Sequence, residues 1–553
     1  MIKTVLKLSQ KLKVNFLFYL SIYSSFILIY LNYDIVYSPD FPKYLNYLLF
    51  YSGDIDSSNI EQGNLYFFFI YLLTIILNIF INEISNFELL NISVLLGNYI
   101  IYIFALFGLK RYLLLNNFDE TKVYLSLIVL NFSPPTLVLR MTFKPEILGF
   151  TLIVWSLLYF QLFKLEKNQN FLNLFLFFSV LISTLKVSIL LMYIIFLIFH
   201  INLKKLLLDI KPFYRNLALF VLILLSLHVE NYILNDKHIY DVTHDEKYNN
   251  SADFEFFTNF NSRELNDNPH KNFHNNSFQA ITLLDTFSDY FELYWNSDHS
   301  NFNSSRKQFI VFNEPILNTE SNQLPVIRYD KNHRVLTYTG NLNTRYIEED
   351  VGENTLDEIR MRGGFFFTII FYLFAFLCSI KYKNLRAIIL SPLIGITLIG
   401  ISSLGLFPTK NYDPIAGDSV KTFYYSFFIG ISFVIVLNIF LKFVKSFDKV
   451  FTLIILMFFT FVIGLPTNFN EDLINEKNEK NNYIFTCKIN QIFIEFDDIL
   501  NFQNCNTEKR GIKNHSEFSN LNLKLSLKNI PYLSILLSVF FTFYCYNFRK
   551  KQV

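Results

Sequence analysis

The sequence predicts an all-α polytopic membrane protein with a large water-facing region between its hydrophobic segments. Three observations carry this expectation. Of 553 residues, 52% are hydrophobic, and they are gathered in blocks rather than spread as in a soluble core. Runs such as Leu174–Leu181 and Phe365–Leu377 hold no charge, and several segments approach or reach the roughly 20 apolar residues that a helix needs to cross a hydrocarbon core. Two hydrophilic stretches, about 235–362 and 467–529, interrupt the series.

Each segment has its own justification. Lys3, Lys7, Lys11 and Lys13 precede an apolar run from Val14 to Leu31. This resembles a signal peptide, but the run is long and no small-residue cleavage site follows, so it reads as an uncleaved first span. Further apolar segments begin near residues 65, 91, 122, 146, 171, 187, 216, 364, 386, 424, 450 and 531. The 65 phenylalanines sit beside an excess of Ile, Asn, Lys and Tyr that a nucleotide-biased genome also produces, so single aromatic residues carry little functional weight. A net charge of +2 supplies no global field to attract nucleic acid.

Basic loop residues favour the cytoplasmic side. With the N-terminus inside and every segment crossing, Lys110, Arg111, Lys122, Lys164, Lys167, the Lys204–Arg215 cluster and the Arg549-Lys550-Lys551 tail would all fall outside. If Leu65–Ile81, flanked by Glu61, Glu83 and Glu88, lies along the membrane instead, all of them move inside. The result is about twelve spans with both termini cytoplasmic. Outside lie Tyr33–Glu88, the turn Arg140–Glu146, the turn near Lys186, the region Asn235–Arg362 and the loop Pro408–Thr422. The stretch holding Cys487 and Cys505 also falls outside, where a disulfide is permitted. Cys378 and Cys545 sit in apolar segments as ordinary small hydrophobes.

The outer loops carry the candidate chemistry. The first reads Ser38-Pro39-Asp40-Phe41-Pro42-Lys43-Tyr44, then Gln62-Gly63-Asn64-Leu65-Tyr66-Phe67. Later come Lys144-Pro145-Glu146, Thr184-Leu185-Lys186 and Lys421-Thr422-Phe423-Tyr424. In this order the set resembles the polyprenyl-phosphate-sugar-dependent glycosyltransferases of the GT-C fold, among them the protein mannosyltransferase and aminoarabinose transferase families. Asp40 with Tyr44 looks like the acidic "Asp-Glu-x-x-Tyr" element that follows their first span, and Lys43 stands where a basic residue is common. The family's "Pro-Pro-Leu-Tyr-Tyr" is here Gly63-Asn64-Leu65-Tyr66-Phe67, without either proline, and Gln62 replaces the usual basic residue. Lys144-Pro145-Glu146 matches the end of the second outer turn. Thr184-Leu185-Lys186 resembles the family's "Thr-Lys" turn with one residue inserted. Lys421 and Tyr424 resemble its late basic-Tyr pair.

The resemblance covers roughly Val14–Asn202 in order and spacing. It implies a GT-C-like bundle with juxtamembrane helices in the first outer loop and a mixed periplasmic region. The expected divisions are a catalytic membrane module (1–233), a periplasmic region (234–362), further spans (363–466), a second outer loop with the cysteine pair (467–529) and a last span with a basic tail (530–553). The implied activity is inverting transfer of a sugar from a polyprenyl-phosphate donor to a glycan, lipid or protein acceptor of a bacterial cell envelope. Such a donor needs fixed cations at its phosphate and a carboxylate to take the acceptor's proton. Asp40 and Glu146 fill the catalytic places, and Lys43, Tyr44, Lys144, Lys186, Lys421 and Tyr424 the substrate and phosphate-binding ones. No cofactor is expected, although Asp54 and Asp56 resemble a metal-binding acidic pair.

Blander readings stand beside these. Asp40 fits a turn or cap, Glu146 a first-turn acid favoured by the helix dipole, and the lysines interfacial snorkelling. His270 and His274 lie in an Asn-rich stretch that reads as loop. Two other functions compete. A polysaccharide polymerase or ligase would use outer-loop arginines such as Arg328, Arg334, Arg345, Arg360 and Arg362. A transporter would show an inverted repeat or matched broken helices, and neither is evident.

Overall fold

In hydrocarbon, a lone segment satisfies its own backbone only as a helix, and the apolar runs fold accordingly. The structure, a computed structural model, describes residues 14–27, 29, 41–53, 65–81, 86–201, 254–258, 260, 277–288, 306–312, 326–329, 335–339, 344–350, 355–403 and 422–443. The described residues are mostly helical. The N-terminal helices are α1 (Val14–Ile27), α2 (Phe41–Ser52), α3 (Leu65–Phe80), α4 (Asn86–Leu115), α5 (Glu120–Asn131), α6 (Pro134–Arg140), α7 (Glu146–Glu166), α8 (Gln169–Ser183) and α9 (Val187–His200). Then come α10 (Phe254–Thr258), α11 (Phe278–Ser288), α12 (Thr355–Lys381), α13 (Arg386–Ile389), α14 (Ser391–Ser403) and α15 (Ser426–Phe443). Four strands lie between α11 and α12. Arg306–Phe312 (β1) pairs antiparallel with Thr344–Asp350 (β4), and Val326–Tyr329 (β2) with Val335–Thr339 (β3).

Three helices are long and apolar enough to cross a membrane: Leu89–Leu115, Glu146–Glu166 and Arg362–Lys381. The number is five if each of two bent pairs is one span. Shorter apolar helices occupy Val14–Ile27, Leu65–Phe80, Gln169–Ser183, Ser188–His200 and Ser426–Lys442. The expected segments near 216, 450 and 531 lie outside the described residues. On α12, Phe366, Ile370, Leu373, Phe376, Leu377 and Ile380 are each more than half exposed. A contiguous apolar face of that kind suits hydrocarbon rather than water.

The bends have local causes. α5 and α6 meet at 61° because Ser133 precedes Pro134-Pro135. A residue before proline is pushed out of the helical region, and Ser133 is extended, with φ −76° and ψ 135°. The break leaves helix-end carbonyls to satisfy. Arg140, fully buried, donates from Nε to Thr136 O (3.0 Å), from one terminal nitrogen to Ser25 Oγ (3.0 Å) and from the other to Asn131 O. Its guanidinium also lies over the Tyr102 ring at 4.2 Å.

α7 is the central helix, buried along nearly its whole length, with α4, α6, α8, α9 and α15 packed around it. Asp119 caps α5 by accepting from Thr121 N and Lys122 N. Lys167, left-handed at φ 54°, ends α7, and Asn168 caps α8. The chain therefore turns back sharply between α7 and α8. α11, from the long hydrophilic stretch, is built into the bundle: Phe287 packs edge-on against Phe367 and Phe371 of α12.

Basic residues collect at one end of α15. Lys442 lies over the Phe118 ring (4.4 Å) and the Tyr382 ring (5.6 Å), with Lys122 of α5 as a basic neighbour. The opposite end of α15 opens the site described next.

Candidate functional site

α7 begins where its sequence says a helix should. Pro145 presets φ for helix entry, and Glu146 places an acid at the positive end of the helix dipole. The residues before it, Met141–Lys144, form a turn rather than a helix. Gly149, one turn into α7, lets α9 approach closely: a Cβ there would sit 3.3 Å from Ile189 and 3.6 Å from Leu185. The first turns of α7 and α9 therefore lie side by side. This brings Lys186, immediately before α9, to Glu146, with Nζ 3.1 Å from Oε1. The Glu146 side chain is 1% exposed and that of Lys186 18%. Glu146 Oε2 is buried with no hydrogen-bond partner among the described residues.

Two tyrosines and a second lysine complete the cluster. Lys144 is buried at 1% exposure, and its ammonium lies 5.7 Å from the ring centroids of both Tyr44 and Tyr424. Lys186 Nζ lies 4.6 Å from the Tyr424 ring. A cation over an aromatic face is attracted by the ring quadrupole, so Tyr424 is a shared lid for two ammonium groups. Tyr44, fully buried on α2, is held by Phe67 (5.0 Å) and Phe143 (6.0 Å).

Tyr424 belongs to a short 3-10 turn, Thr422–Tyr425, at the entrance of α15. Asp285 of α11 fixes that entrance. Its Oδ2 accepts from Thr422 N at 2.8 Å and from Thr422 Oγ1 at 2.6 Å. A carboxylate capping two donors at a helix start is a charge-assisted arrangement, and it ties the middle hydrophilic region to the site. On the other side, Tyr66 OH donates to Asn98 Oδ1 at 2.7 Å, and Asn98 Nδ2 donates to Arg140 O (3.0 Å) and Thr142 O (2.9 Å).

Of the residues singled out from sequence, the structure brings together Tyr44, Lys144, Glu146, Lys186 and Tyr424. Lys43 sits in the first turn of α2, one residue before Tyr44. Asp40, Lys421, Asp54, Asp56, Cys487 and Cys505 lie outside the described residues, as do His270 and His274. No group of three His, Cys, Asp or Glu side chains placed to hold a metal occurs among the described residues. Sequence reasoning missed Asn98 and Asp285. A signal existed for Asn98, since a polar residue inside an apolar span is costly and usually has a purpose. None existed for Asp285, one acid among many in a hydrophilic stretch.

Chemically, the cluster offers two buried or half-buried ammonium groups and one carboxylate under aromatic faces. The ammoniums suit an anion. The unpaired carboxylate oxygen suits a hydroxyl donor, because a buried acceptor without a partner carries a desolvation cost that such a ligand would relieve. No protein-family model, curated protein or solved structure matches this chain.

Proposed function

We propose that this protein is an integral-membrane glycosyltransferase of GT-C type. It transfers a sugar from a polyprenyl-phosphate donor to a cell-envelope glycan, lipid or protein at the outer face of a bacterial inner membrane, with about twelve spans and both termini cytoplasmic. One observation carries the reading: five residues chosen by ordered resemblance, from four separate stretches of chain, meet in one cluster. The topology has its own support. Lys442 and its neighbour Lys122 lie at the end of α15 remote from Tyr424, as the basic-loop bias expects if the cluster faces outward.

In this reading the acceptor hydroxyl gives its proton to Asp40 as its oxygen attacks the anomeric carbon. The bond from that carbon to the phosphate oxygen breaks, and polyprenyl phosphate leaves with the electron pair. Lys144 and Lys186 stabilise the charge that develops on the phosphate, and Lys43 and Lys421 are proposed to add to it. Glu146 positions a substrate hydroxyl through its unpaired oxygen, and Tyr44 and Tyr424 hold the lysine ammonium groups against their rings. The test is transfer of labelled sugar from a polyprenyl-phosphate donor to native acceptors in membranes carrying the protein. Absence of transfer at normal expression would remove the reading and move the polymerase or ligase alternative ahead.

A further inference from the structure

We propose that Asn98, a residue that touches no candidate substrate group, is the positioning residue of the site: its amide holds the turn that carries Lys144 and Glu146. The role in transfer rests on the function proposed above; the mechanical role does not.

The argument begins with the backbone. α6 ends at Arg140 and α7 starts at Glu146. Carbonyls between two helices have no helical partner and must find a donor when buried. Residues Arg140–Glu146 are all buried. Two of those carbonyls, Arg140 O and Thr142 O, find the same donor, Asn98 Nδ2. Both partners are acceptors only, so the orientation of the amide follows from chemistry: the nitrogen must face them and the oxygen must face away. The oxygen in turn accepts from Tyr66 OH. Asn98 is 0% exposed, and three of its four hydrogen-bonding positions are used inside the protein.

The sequence around Asn98 makes this geometry possible. Asn98 lies within the apolar span Leu89–Leu115. Its neighbour Gly97 gives α3 room to approach, since a Cβ there would sit 2.5 Å from Ile70 Cδ1. Ile70 is one helical turn from Tyr66 on α3, so the same close approach delivers the phenol to Asn98. Asn98 thus ties α3, α4 and the α6–α7 turn together, and Tyr66 also reaches the backbone of Lys144. Holding two carbonyls two residues apart restricts the backbone between and beyond them, and that backbone carries Lys144 towards Tyr44 and Tyr424, and Glu146 towards Lys186.

Asn98→Leu keeps the size but removes both donors. Hydrogen exchange of the purified protein, followed by mass spectrometry, should show residues 139–147 exchanging at least about tenfold faster, with residues 150–160 of α7 unchanged. Transfer from the polyprenyl-phosphate donor should fall about 10²-fold, as expected when binding and reacting groups shift by about 1 Å. Unchanged exchange in 139–147 in a folded Asn98→Leu protein overturns the proposal. Faster exchange without transfer by the unaltered protein keeps the brace and removes the glycosyltransferase reading instead. If Asn98→Leu does not fold, Asn98→Ala, which removes the same two donors with a smaller side chain, is read the same way. Local acceleration in 139–147 supports the brace, and its absence overturns it.

Discussion

Lys186 Nζ lies 3.1 Å from Glu146 Oε1, while the second oxygen of the same carboxylate is buried without a hydrogen-bond partner among the described residues. The pair is thus half used: one oxygen is neutralised and the other is held ready. A residue that served only to start α7 would need neither the burial nor the lysine.

The first prediction separates stability from function at that pair. Lys186→Ala leaves Glu146 as an uncompensated buried charge and should destabilise the protein by about 3 kcal/mol. Adding Glu146→Gln should recover most of that loss, because the charge is removed with its partner. Transfer and donor binding should stay impaired in the double variant. Thermal unfolding in detergent, read beside the transfer assay, checks both. Full recovery of transfer in the double variant would make the pair purely structural.

Asp40→Asn should lower transfer by about 10²–10⁴, the usual contribution of a positioned general base, while leaving folding and donor binding intact. Asn retains the size and capping ability of Asp, so a merely structural Asp40 would tolerate the change. Near-normal transfer at normal expression would strip Asp40 of its catalytic assignment.

The topology makes a prediction independent of chemistry. Leu65–Phe80 should not cross the membrane, so cysteines introduced after residue 85 should label from outside and those after residue 112 from inside. The helix has 16 residues, about 24 Å at the helical rise, which is short of a hydrocarbon core of about 30 Å. Length alone does not decide it, since α8 and α9 are shorter still. Labelling of residue 112 from outside would refute this arrangement.

Cys487 and Cys505 should be joined in protein purified without reductant. Closing that short loop would contribute about 2–4 kcal/mol if unstrained. Mass mapping after alkylation reads the pairing directly, and two alkylated thiols would count against it.

What the sequence determined by itself is what local physics governs. Charge-free runs require helices in hydrocarbon, so the segments near 65, 91, 122, 146, 171, 187, 364, 386 and 424 were legible as helices. So was the start of α7, because Pro145-Glu146 is a local signal. The five clustered site residues were legible only as an ordered set of motifs, each weak alone. Tertiary structure decided everything that depends on which faces meet. Neither α4 nor α5 concentrates its apolar residues on one side, so no stripe in either points to a neighbour. The bends at Ser133 and Leu390 change helix direction by 61° and 41° and re-aim every residue beyond them. That is why Asn98 and the carbonyls of Arg140 and Thr142, more than 40 residues apart in sequence, come together. The same holds for Asp285 and Thr422, separated by 137 residues: hydropathy tells which residues leave water, whereas packing alone tells which of them touch.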